Sequence, residues 1–157
     1  MDLSHIVVEV EHRFGAPPEA VFDLLTDIER MAGLGPEHHT ARWLDNDHTR
    51  FAGENTLGER EWEVLCVVIA KERPRSFGWS VGEPEDPSST WTYDLVPDGE
   101  ATLVRQRFQL GPGRTLLSGA MRKYPEQAEQ ILDARTAQLS ANMLTVLRAA
   151  ERLLLGA

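Results

Sequence analysis

At 157 residues, with no linker-like shift in composition, the chain is long enough to bury a core without disulfides or a structural metal, and one domain over residues 1–157 is expected. Its formal net charge of −9, with 16 basic residues dispersed among 25 acidic ones, excludes the clustered positive surface a nucleic-acid backbone requires and leaves solubility as the plain meaning of the acidity. The lone Cys66 rules out an internal disulfide, no apolar run is long enough to cross a bilayer, and the N-terminus lacks a basic-then-apolar leader, so the expected compartment is the cytoplasm.

Residues 3–14 alternate with the two-residue period of a half-buried strand, Ile6, Val8, Val10, His12 and Phe14 sharing the more apolar phase. Gly15-Ala16-Pro17-Pro18 breaks that strand. A proline then opens a short amphipathic helix over 19–26, with Val21, Phe22, Leu24 and Leu25 on one side, and a second short helix over 27–34 stops at Gly33, Gly35 and Pro36. Six strands are predicted next, over 38–44, 49–55, 59–71, 77–82, 89–96 and 101–110. Turn-forming residues separate them, among them Asp45-Asn46-Asp47, Asn55 to Gly58, Arg73-Pro74-Arg75 and Asp98-Gly99, and such short connections favour antiparallel neighbours. Gly111-Pro112-Gly113 ends the sheet, and 114–124 admits a helical turn or two.

The last stretch, 125–154, reads as one long helix. Ala128, Leu132, Leu139, Met143, Val146, Ala150 and Leu153 form an apolar stripe that no Gly or Pro interrupts. Pro125 suits the first turn, Glu126 and Glu129 the positive end, Arg148 and Arg152 the other, and Gly156 the close. At 1.5 Å per residue such a helix is roughly 45 Å long and needs a broad partner surface. The fold class is therefore α+β: a strongly curved, seven-stranded antiparallel sheet wrapped on a long C-terminal helix, with two short helices between strands one and two.

The chain resembles the START-like, or helix-grip, superfamily, and within it the polyketide cyclase/dehydrase-like (SRPBCC) group of small bacterial proteins. The resemblance rests on residues 16–27, on Phe51-Ala52-Gly53-Glu54-Asn55-Thr56-Leu57-Gly58 followed by Trp62, and on 74–81 with Phe77-Gly78-Trp79. Trp91-Thr92-Tyr93-Asp94-Leu95 before the Asp98-Gly99 turn and the Asn142-bearing terminal helix complete it. It implies a cavity between sheet and helix for an apolar or aromatic small molecule. Members include aromatase/cyclases and lipid or hormone carriers, and the fold alone does not choose among them.

Strand alternation gives a cavity list of its own. The inward phase carries Trp43, Phe51, Asn55, Trp62, Val64, Cys66, Trp79, Trp91, Gln106 and Phe108, and the helix adds Leu132, Leu139, Asn142 and Met143, all candidate ligand contacts. Side chains of these types also simply fill cores. The polar members matter more, because Asn55, Gln106, Tyr93, His39, Arg135 and Asn142 would each cost free energy if buried unpaired. In a cyclisation, Arg135 and Tyr93 would stabilise a carbonyl turning enolate while His39 or Tyr93 moved protons, and Arg135→Ala is expected to affect ligand affinity more than stability.

Other chemistries lack their residues. His38 and His39, adjacent on a strand, point to opposite faces, so with His48, Asp45 and Asp47 they make no metal site. No basic neighbour activates Cys66, and no glycine loop before a helix cradles phosphate, so no cofactor is expected. The expected partner is a hydrophobic small molecule, with no nucleic acid and no membrane insertion, and a homodimer is compatible with the chain. Three functions compete: a carrier, a cyclase/dehydrase-type enzyme, and a regulatory or protein-interaction helix-grip domain that acts through its outer face.

Overall fold

The computed structural model describes residues 2–156. The chain runs β1 (Val7–Phe14), α1 (Pro18–Leu25), α2 (Ile28–Met31), β2 (His38–Trp43), β3 (Arg50–Leu57), β4 (Arg60–Glu72), β5 (Ser76–Val81), β6 (Ser89–Asp98), β7 (Ala101–Leu110), α3 (Leu116–Lys123), a 3-10 turn (Pro125–Gln127) and α4 (Ala128–Leu155). The expected α+β architecture is the one found. All seven strands join one antiparallel sheet in the order β1-β7-β6-β5-β4-β3-β2.

That order follows from the connections. Strands β2 to β7 are linked by short turns and pair in sequence, whereas β1 and β2 lie at opposite edges and need α1 and α2 to carry the chain between them. Register shifts in β2, between His38 and Thr40, and in β4, between Val68 and Ala70, insert extra residues that bend and twist the sheet.

Within residues 114–124 the helix is α3, Leu116–Lys123, begun by a reciprocal capping box between Thr115 and Ser118. Helix α4 begins three residues later than Pro125, after the 3-10 turn, and closes on Gly156 in the left-handed conformation that glycine tolerates.

The buried face of α4 is Leu139, Met143, Leu147 and Ala150. Leu147 is fully buried, while Leu153 of the expected stripe is exposed. Phe14, Val21, Phe22, Leu24, Leu25, Val104 and Leu147 are among the most completely buried large side chains and belong to one hydrophobic core. Burying each such aliphatic or aromatic side chain stabilises the fold by about 1.5–3 kcal/mol. Glu151 fixes the helix over β1: its carboxylate accepts from the Gly15 amide at 2.9 Å and pairs with His12 Nε2 at 2.8 Å. Burial alone would raise that carboxyl, but the Gly15 amide and His12 hold it below its ordinary value.

Candidate aromatic groove

Helix α4 makes its closest approach to the sheet along β1. The inward side chains of β1 and β7, including Val8, Val10, Phe14, Val104, Phe108 and Leu110, are accordingly buried. Farther across the concave face, Trp43, Val64, Val68, Trp79, Val81 and Trp91 remain half-buried. The N-terminal third of α4 matches them, with Ala128, Ile131 and Leu132 also half-buried. The half of the sheet away from β1 and the N-terminal third of α4 are thus the less closed part of the interface, and a groove between them is the candidate site.

Aromatic rings pave that groove. Trp43 meets Phe51 edge-on at 5.5 Å, Phe51 meets Trp79 at 5.9 Å, and Trp79 stacks on Trp91 at 6.1 Å. Trp91 meets Phe108 at 4.7 Å and the His38 ring at 6.3 Å, and Tyr93 tilts against Trp79 at 5.8 Å. The pairing dictates this arrangement, since Trp79 faces Trp91 and Trp91 faces Phe108 as direct cross-strand partners.

Polar groups stand at two places. In the middle of the sheet, Tyr93 and Gln106 are cross-strand neighbours, both buried. The Gln106 Oε1 has no hydrogen-bond partner among the described residues, and burial pushes the Tyr93 phenol well above its ordinary value, so it stays a neutral donor and acceptor. At the start of β2, His38 Nδ1 bonds Asn55 Oδ1 at 2.8 Å. Beside it the buried Glu37 binds Arg135, through Nη1–Oε1 and through Nη2–Oε2 at 3.0 Å. Asn142 Nδ2 donates to the same carboxylate at 3.3 Å, and the Glu37 backbone carbonyl accepts from the Thr56 amide at 2.7 Å.

Several expected site residues meet on this face: Trp43, Phe51, Asn55, Trp79, Trp91, Tyr93, Gln106 and Phe108, with Val64 half-buried among them. Leu139 and Met143 reach the buried core from above, and Leu132 lies half-buried toward the open end. Trp62 sits opposite Asn55 at the β3–β4 hairpin. There it lines a concavity of about 520 Å³ with His39, Glu54, Thr56, Glu61 and Glu63. Of the residues lining this polar hollow, Asn55 and Trp62 belong to the inward phase of the sheet.

Three polar residues sit otherwise than expected. The bulge at the start of β2 pairs His38, not His39, with Asn55, so His39 turns to the outer face and bonds Thr56 Oγ1 at 2.5 Å. Arg135 and Asn142 are both engaged by the Glu37 carboxylate. Sequence reasoning missed both Glu37 and His38. A polar run, Glu37-His38-His39-Thr40, carries no apolar phase from which a one-residue bulge could be read.

Cys66, buried opposite Phe51, has its thiol pushed up to about 12 by burial alone. The thiol is therefore protonated at neutral pH, and modification by a thiol-specific reagent at pH 8 is expected to be slow in the native protein and fast in denaturant. Because the unfolded thiol ionises from its ordinary value of 9.0, its contribution to stability is whole below that pH and declines as pH rises toward 12. Titration of stability above pH 9 with the wild type and Cys66→Ala checks the sign.

Residues 5–143 match the sequence profile described as "Polyketide cyclase / dehydrase and lipid transport". Among solved structures, a Polyketide_cyc-like protein, Cgl2372 from Corynebacterium glutamicum, is similar at 26% identity and TM-score 0.65, covering 98% of this chain and 92% of that one. The protein TTHA0849 from Thermus thermophilus is similar at 18% identity and TM-score 0.69, covering 96% and 98%. A START superfamily protein from Mycobacterium smegmatis is similar at 15% identity and TM-score 0.58, covering 85% and 98%. No curated protein matches the chain. Among the described residues no helix is long and apolar enough to cross a membrane.

Proposed function

The chain belongs to the polyketide cyclase/dehydrase and lipid transport family, and from that premise we propose that it binds a largely apolar, ring-containing small molecule along its aromatic groove, as a carrier or as a cyclase/dehydrase-type protein. One observation carries the reading. Trp43, Trp79 and Trp91, linked through Phe51, form a continuous aromatic wall on the inward face of the sheet, and all three keep part of their surface open. Ligand sites have this composition, mostly apolar with a few placed polar groups, here Tyr93 and Gln106. The unpaired Gln106 Oε1 supports it further, since a buried acceptor without a donor is costly unless something supplies one.

Native mass spectrometry of protein purified without added ligand tests the proposal: a retained hydrophobic small molecule is expected, and a uniformly empty protein that also fails to take up aromatic probes sinks it. Trp79 touches Phe51, Phe77, Trp91 and Tyr93 and is the hub of the wall. Trp79→Ala is expected to weaken binding of the retained molecule about tenfold or more, measured by calorimetry, while circular dichroism shows the sheet intact.

A further inference from the structure

The geometry points to His38 as the residue that selects the ligand: its Nε2 accepts a hydrogen bond from a hydroxyl on an aromatic ring lying against Trp91. This rests on the aromatic-groove reading above and adds the ligand's chemical class.

A carboxamide oxygen only accepts, so the 2.8 Å contact between His38 Nδ1 and Asn55 Oδ1 places the proton of the neutral imidazole on Nδ1. The lone pair is then on Nε2, which has no hydrogen-bond partner among the described residues. Asn55 is nine-tenths buried, within a strand paired on both sides, so it holds the ring in one orientation as well as one tautomer. The imidazole is exposed, at the rim of the groove, with its plane at 76° to Trp91 and ring centres 6.3 Å apart. The β2 bulge brings His38 to this face; without it the ring would stand on the outer side with Thr56. An acceptor held beside a half-open indole suits a flat ring carrying an O–H group, with the ring on Trp91 and the hydroxyl on Nε2.

The probes are β-naphthol and its methyl ether, titrated calorimetrically into the full-length protein. The ether is the more hydrophobic, so burial alone favours it. A hydrogen bond to His38 reverses that order, and wild type is expected to bind β-naphthol about tenfold more tightly. In His38→Leu the preference should vanish or invert, with the ether's affinity little changed, which also shows that the variant is folded. Imidazole nitrogen NMR shifts on the free protein should report His38 protonated at Nδ1. Equal binding of the two probes by wild type, a preference that survives in His38→Leu, or a proton on Nε2 overturns the assignment to His38 and leaves the groove standing. Binding of neither probe overturns this inference, and together with an empty native mass spectrum it overturns the groove as well.

Discussion

Glu37→Ala is expected to destabilise the protein by about 2–4 kcal/mol, lowering the melting temperature by roughly 5–10 °C, although Glu37 lies in none of the expected catalytic positions. The physical reason is the charge it leaves behind. Arg135 is held by both carboxylate oxygens of Glu37, with side-chain exposures of only 21% and 9% for the two residues, and removing the acid strands a guanidinium under partial burial. Gln138 Oε1, at 2.7 Å from Arg135 Nη1, and water at the exposed part of the side chain keep the loss below that of a fully buried pair. Asn142 loses its acceptor in the same step. Removing both charges should cost less than the sum of the single changes, so Glu37→Ala with Arg135→Ala is expected to show a coupling of about 1–3 kcal/mol in urea unfolding. Strict additivity would show that the pair contributes nothing. Arg135→Ala alone should lower stability more than ligand affinity, which reverses the expectation drawn from sequence.

The Glu37–Arg135 pair shows where sequence stops being informative. The architecture was legible because it is written in periodicities: the alternation of β3 to β7 sets which face each Trp, Phe and Tyr takes, and one register per strand fixes all of them together. The long helix was legible for the same reason, although Leu147, outside the expected stripe, is fully buried and Val146 within it only half-buried, a shift of one position in a stripe too wide to assign from spacing alone. The polar constellation obeys no period. Glu37 finds Arg135 across 98 positions of sequence, and His38 reaches Asn55 only because an extra residue is inserted where nothing apolar marks the phase. Arg135 looked like a free donor because its partner belongs to a loop end with no pattern of its own. The stretches that build the container could thus be read one at a time, while its contents depend on which stretches meet.

Gly111→Ala is the second large effect, expected to cost about 2–4 kcal/mol and to alter the groove from a distance. A Cβ at this position would lie 2.0 Å from the Pro87 carbonyl oxygen and 2.8 Å from its carbon, both backbone atoms that cannot swing aside. Space, not an unusual backbone angle, is what demands glycine. The approach is close because the chain after β7 is tied to the β5–β6 loop, with the Gly111 amide donating to the Ser88 carbonyl at 2.9 Å and the Gly113 amide to that of Pro87 at 3.1 Å. To admit the methyl group these two segments must part, which sacrifices one or both bonds and strains the Ser89–Leu110 rung that begins the β6–β7 ladder. Two residues farther along lies the Trp91–Phe108 rung, whose rings meet at 4.7 Å in the groove wall. The change should therefore appear twice: as a lowered unfolding midpoint in urea, and as a shift in the tryptophan emission of the still-folded protein. A control substitution, Gly119→Ala, where the added Cβ meets nothing within 4 Å inside α3, should leave the emission unchanged and hold or slightly raise the midpoint. Loss of stability with unchanged emission would confine the damage to the loop and remove the link to the groove.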